Sequence, residues 1–112
     1  MDDLNQVLRT LDELTAHLKR NDRPGANQTA LSRTRLLAAQ LSGYDPYISE
    51  KAGLIADLAN VFYSEVGHRK YPGGADSLLV EMSYDLPNRI TQQVGRLQRL
   101  IANNQAATDD LQ

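Results

Sequence analysis

Leu4, Val7, Leu11, Leu14 and Leu18 recur at alternating steps of three and four residues. On a helix that spacing gathers the five side chains into one seam, the pattern of a surface built to pack along its length against other helices. The same signature returns three times further along. The chain therefore reads as a set of amphipathic helices whose apolar faces need one another.

The first segment spans residues 2–20. Asp2 or Asp3 is placed to cap its start, and Lys19 and Arg20 sit in its last turn, where positive charge complements the helix dipole. Pro24 and Gly25 end it. A second segment, 27–42, opens on Asn27 as a cap, carries the stripe Ala30, Leu31, Thr34, Leu37, Ala38 and Leu41, and stops at Gly43. Arg33 and Arg35 lie off that stripe and are expected in solvent. The third segment starts at Asp45-Pro46, a cap followed by proline at the first helical position. Its stripe of Ile48, Ala52, Ile55, Ala59, Phe62 and Val66 is widened by Leu54, Leu58 and Val61, which predicts the most buried helix of the set, ending at Gly67.

His68 to Gly74 reads as a loop. A fourth segment then begins near Asp76 or Ser77 and carries Leu79, Met82, Leu86, Ile90, Val94, Leu97 and Ile101. Pro87 lies inside it. A proline in a helix interior costs on the order of 3 kcal/mol and kinks or breaks the rod. The stripe keeps its phase across Pro87, which favours a kink. Short connections between four such helices make neighbours antiparallel. The predicted fold is all-α, a four-helix up-down-up-down bundle with a long C-terminal helix kinked near Pro87. Residues 1–103 form the single domain, and 104–112 form a frayed tail without a stripe.

Composition limits the function classes. The 112 residues suit one domain, and 41% are hydrophobic, enough for a core; it must be aliphatic, since Phe62 and five tyrosines are the only aromatics. A net charge of −2 gives no whole-molecule attraction to nucleic acid or anionic lipid. Cysteine is absent, which removes disulfides and thiolate chemistry and fits a reducing cytosol. No apolar run approaches the roughly 18–20 residues of a membrane span. The expectation is a cytoplasmic protein of bacterial or phage style, without membrane association.

Two groups of residues stand out as candidate sites. An up-down bundle brings the first and third connections to one end, so Lys19, Arg20, Arg23, His68, Arg69 and Lys70 would form a basic pole able to hold phosphate or an acidic patch. The same placement at helix C-termini is ordinary dipole complementation. The second group is a candidate protein interface: Tyr44 and Tyr47 in the second connection, Tyr71 in the third, and Arg89, Arg96 and Arg99 on the last helix. The histidines His17 and His68 have no evident catalytic or metal-binding partners, and Gly73-Gly74 is not followed by the Lys-Ser/Thr of a phosphate loop.

No catalytic, metal or cofactor site is expected. The reading is a small non-enzymatic protein-binding module, an adaptor, inhibitor or immunity-type protein acting by surface occupation. In size and layout the chain is similar to the helical-bundle immunity proteins of bacteriocin systems, a likeness of architecture without a shared motif. The alternative is nucleic-acid or regulatory binding through the basic pole. The expected partner is another protein, with a homodimer through the first or last helix as a further expectation and nucleic acid less favoured.

Overall fold

The computed structural model describes residues 2–110, with side chains described for residues 3–104. Its elements are α1 (Asp2–Arg20), α2 (Gln28–Gln40), α3 (Pro46–Phe62), the single-turn α4 (Gly67–Lys70), α5 (Gly74–Val80), one turn of π-helix (Glu81–Asp85) and α6 (Leu86–Asp110). No strand occurs among the described residues.

The seam of α1 is buried at all five positions, and Leu8 beside it packs partly against the core. Each fully buried leucine contributes roughly 1.5–3 kcal/mol relative to an exposed one. The cap expected of Asp2 falls on a side chain outside the described residues. Asn27 caps α2, its Oδ1 accepting from the Ala30 amide at 3.0 Å, and the whole predicted stripe of α2 is buried. Arg33 and Arg35 are exposed, as their positions off the stripe require. Asp45 caps α3, its Oδ2 accepting from the Ile48 amide at 3.1 Å, with Pro46 beginning the helix.

The end of α3 departs from the sequence reading. The helix stops at Phe62 rather than running to Val66, and Val66 is exposed. The first connection folds over this terminus. Gly25 donates its amide to the Phe62 carbonyl at 3.0 Å and Asn27 donates to the Tyr63 carbonyl at 3.4 Å. Carbonyls at a helix C-terminus lack partners within the helix, and here a distant segment supplies them. Gly67, expected as a stop, instead opens α4, so His68, Arg69 and Lys70 are helical rather than looped.

The last rod also differs. It begins at Gly74, two residues before the expected caps Asp76 and Ser77. Gly73 is the cap residue, at φ 84°. That left-handed conformation favours glycine, and Ser77 lies so close that a Cβ on Gly73 would collide with its hydroxyl. Pro87 does not break the rod. The Leu86 amide reaches back five residues to the Glu81 carbonyl, forming the π turn immediately before the proline. Proline lacks an N–H and its ring crowds the carbonyl four residues earlier, here that of Ser83. Widening the turn relieves that conflict without leaving the helix. The helical path then runs from Gly74 to Asp110. Of the expected frayed tail, 104–112, the residues to Asp110 continue the helix, and the last two lie outside the described residues.

The long elements pack as a ring. α1 lies against α2 and α6, and α3 lies against α2 and α6, while among the described residues the backbones of α1 and α3, and of α2 and α6, do not approach closely. The π turn and α5 also rest on α3. Their shared core includes Leu14, Leu37, Ile55, Phe62, Met82 and Ile90. α3 is not apolar-buried around its circumference as predicted: Leu54 and Tyr47 are exposed, while Leu58 and Val61 are half-buried. Its neighbours cover its inner face and leave one flank open. The molecule measures 61 × 25 × 20 Å, its long axis matching the length of the Gly74–Asp110 rod.

Candidate functional site

Two elements end where α6 continues. α1 begins beside Ile101 and Asn104, the α2–α3 connection turns at Gly43, and α6 runs past both. The result is a half-open groove of about 400 Å³ lined by Asp3, Leu4, Gly43, Tyr44, Leu97, Leu100, Ile101 and Asn104. Its surface is mostly apolar. Leu100 is 53% exposed and Tyr44 39%, so the groove contains apolar surface that this chain does not cover. Gly43 makes the turn at φ 99°, and its amide donates to Ser49 Oγ at 3.1 Å, which holds Tyr44 at the rim.

A shallow flank extends from the groove. Gln93 Nε2 donates to Asp45 Oδ2 at 3.2 Å and sets the register of α6 against the start of α3. Arg89, Gln93, Arg96 and Leu100 follow one another at steps of four, three and four, so they share the α3-facing side of α6. The opposite side of α6, with Pro87, Asn88 and Thr91, faces Leu11, Asp12, Thr15 and Lys19 of α1. On α3, Tyr47, Lys51, Leu54 and Leu58 follow the same steps, on the flank opposite Asn60, which accepts from Arg35 of α2 at 2.7 Å. The Lys51 ammonium sits 5.0 Å from the centre of the Tyr47 ring, a cation–π contact. Tyr44, Tyr47, Arg89 and Arg96 of the predicted interface therefore lie along one continuous strip. Arg99 is exposed on α6 but turned away from it, folding back towards Gly95.

Tyr71 is elsewhere. It is half-buried near the start of the last rod, where its hydroxyl donates to Glu81 Oε2 at 2.6 Å; that hydrogen bond raises its pKa, with burial and the Glu81 charge adding.

The other end holds the predicted basic group. Lys19, Arg20, Arg23, Arg69 and Lys70 are exposed, and both of their connections lie at this end, joined by the Tyr63 hydroxyl donating to the Asn21 carbonyl at 2.8 Å. His68 does not belong on that exterior. It is 9% exposed, and its Nδ1 donates to the Ser64 carbonyl at 3.0 Å. Folding His68 into α4 turned the ring inward, a consequence of the early stop of α3.

His17 is likewise structural. Its Nε2 donates to the Ala30 carbonyl at 3.0 Å, and Asn21 Nδ2 lies 2.9 Å from the His17 carbonyl and 3.3 Å from its Nδ1. Both carbonyls can only accept, so they fix the Asn21 amide orientation and the Nε2–H tautomer. Burial, with the nearby Asp22 charge, pushes the Tyr63 pKa up to about 12. No group of three metal-ligating side chains occurs among the described residues, and none of the described helices is long and apolar enough to cross a membrane.

Leu54, expected to widen the buried stripe of α3, is 39% exposed, and Leu100, 53% exposed, was not singled out from sequence. Leu100 lies off the stripe Leu79–Ile101, and an off-stripe leucine beside Arg96 was the available signal. No protein-family model, curated protein or solved structure matches the chain.

Proposed function

We propose that this protein is a small protein-binding module, an adaptor, inhibitor or immunity-type protein that acts by occupying a partner's surface without chemistry of its own. In this reading α1, α2, α3 and the Gly74–Asp110 rod form an up-down-up-down four-helix bundle. Ring-like packing supports that arrangement, as do the meeting of α1's start with the α2–α3 turn and of α1's end with the end of α3. The observation that carries the binding reading is the half-open apolar groove under Tyr44 and Leu100. An uncovered apolar groove beneath an aromatic rim offers a partner a concave surface to fill.

A photo-crosslinking residue in place of Leu100 tests it, with the same residue in place of Asp57 on the solvated face of α3 as control. The expected result is a defined protein adduct from position 100 alone. Equal labelling from both positions, or none from position 100, overturns the reading.

A second reading rests on the five exposed cations at the opposite end: binding of a nucleic-acid backbone or another polyanion. It requires affinity for DNA or RNA that falls steeply between low and moderate salt and is lost in the double variant Arg69→Ala, Lys70→Ala.

A further inference from the structure

We infer that the groove and its flank take an acidic amphipathic helix from a partner protein. This rests on the protein-binding reading above and adds the partner's chemistry. The floor supplies a shape for apolar side chains at helical spacing: Leu97, Leu100 and Ile101 from α6, Leu4 from α1 and Tyr44 at the rim. From Arg89 to Leu100 the strip covers eleven steps along α6, about 16 Å or three helical turns. A helix laid along it meets apolar contacts at one edge and cations at the other.

Along the α6 row of the strip every charge is positive. Arg89 and Arg96 are exposed on the α3-facing side of α6, and among the described residues neither makes an ion pair or hydrogen bond. Lys51 adds a third cation across the flank, over Tyr47. Asp85, one turn before Arg89, and Asp3, on the α1 wall, stand at the strip's far end and opposite lip; Glu50 is exposed at the α3 border, and Asp45 within the strip is engaged by the Ile48 amide and Gln93. Asp3 fixes the orientation: the partner's acidic edge belongs beside Arg96 and its neutral or basic edge beside Asp3. A second copy is the poorer occupant. A two-fold pairing of this strip with itself sets the Arg89–Arg96 row against the same row, and like charges across an interface oppose association.

The test uses the full chain and three fluorescent 18-residue helical peptides that share one leucine face. They differ only in flanking residues: glutamate, glutamine or lysine. Anisotropy at low salt should show the glutamate peptide binding about tenfold or more tighter than the glutamine peptide, with the lysine peptide weakest. Arg89→Glu combined with Arg96→Glu should invert that order, and Leu100→Asp should remove binding of all three, each variant keeping its helical circular dichroism. Equal binding of the three peptides overturns the acidic partner and leaves the apolar groove standing as a docking site. Absence of binding by every peptide overturns both. Light scattering that gives twice the chain mass, reverting to one mass in Leu100→Asp, makes a second copy the occupant and likewise overturns the inference.

Discussion

The two ends of the molecule are finished differently. Where α1 stops, the first connection closes over α3: Phe62 and Tyr63 have their carbonyls taken by Gly25 and Asn27, Tyr63 bonds Asn21, and His17 bridges α1 to the first turn of α2. Phe62 and Tyr63 are nearly fully buried there, their rings edge-to-face at 5.1 Å. Where α1 starts, Tyr44 and Leu100 stand half in water over an open groove. Buried polar groups need partners and apolar surface needs cover. The first end pairs its polar groups and buries its aromatic rings, leaving Val66 exposed, while the second leaves an apolar groove open to water. Stability should therefore concentrate at the first end and binding at the second.

The largest effect that would break this comparison is on Phe62. Phe62→Ala removes the largest fully buried side chain and should cost about 3–5 kcal/mol in urea unfolding. A cost near that of a surface substitution would mean that the closed end is not the stable one.

Tyr63 gives a smaller effect with a sign that can be checked. Tyr63→Phe leaves the Asn21 carbonyl without its side-chain donor and should cost about 1–2 kcal/mol near neutral pH. In the folded protein the phenol keeps its proton to about pH 12, whereas an unfolded chain loses it near pH 10. Above pH 10 the unfolded state binds fewer protons than the native state, so stability falls as pH rises. The Tyr63 contribution is fully present below pH 10 and is lost as pH rises towards 12. The stability gap between wild type and Tyr63→Phe should narrow over that window. A gap independent of pH from 9 to 12 would show that the hydroxyl is not held as described.

What could be read from sequence follows the same division. The seam of α1, the stripe of α2 and the caps Asn27 and Asp45 were legible because each depends on residues within one or two turns. The stop of α3 was not. Between Val61 and Val66 the local pattern still reads as helix, and the carbonyls left open at its early end are taken by amides from 25 and 27, more than thirty residues earlier. His68 was misplaced for that reason: a basic residue in a presumed loop reads as solvated, and only the early stop turns it inward to the Ser64 carbonyl. The proline was legible as a conflict but not in its resolution, since a π turn and a break satisfy the same missing donor. In the proposed strip, Tyr44, Arg89 and Arg96 were named from residue type. Leu100 was not, because a periodic reading discounts what lies off the stripe, and off-stripe apolar side chains are the ones a fold leaves uncovered.

The smallest expected change in stability is the sharpest test of the comparison. Leu100→Asp alters a half-exposed side chain on a helix whose core stripe, through Val94 and Ile90, lies on another face. Little apolar area leaves water at this position on folding, and a new carboxylate there stays solvated, so the cost should stay within about 0.5 kcal/mol. Circular dichroism and the urea midpoint should scarcely move. The same substitution puts a negative charge onto the groove floor, where an apolar helix would have to desolvate it and an acidic one would also be repelled. Binding should therefore vanish while the fold stands. If instead Leu100→Asp unfolds the chain as Phe62→Ala does, the open end belongs to the folding core and the contrast between the two ends collapses.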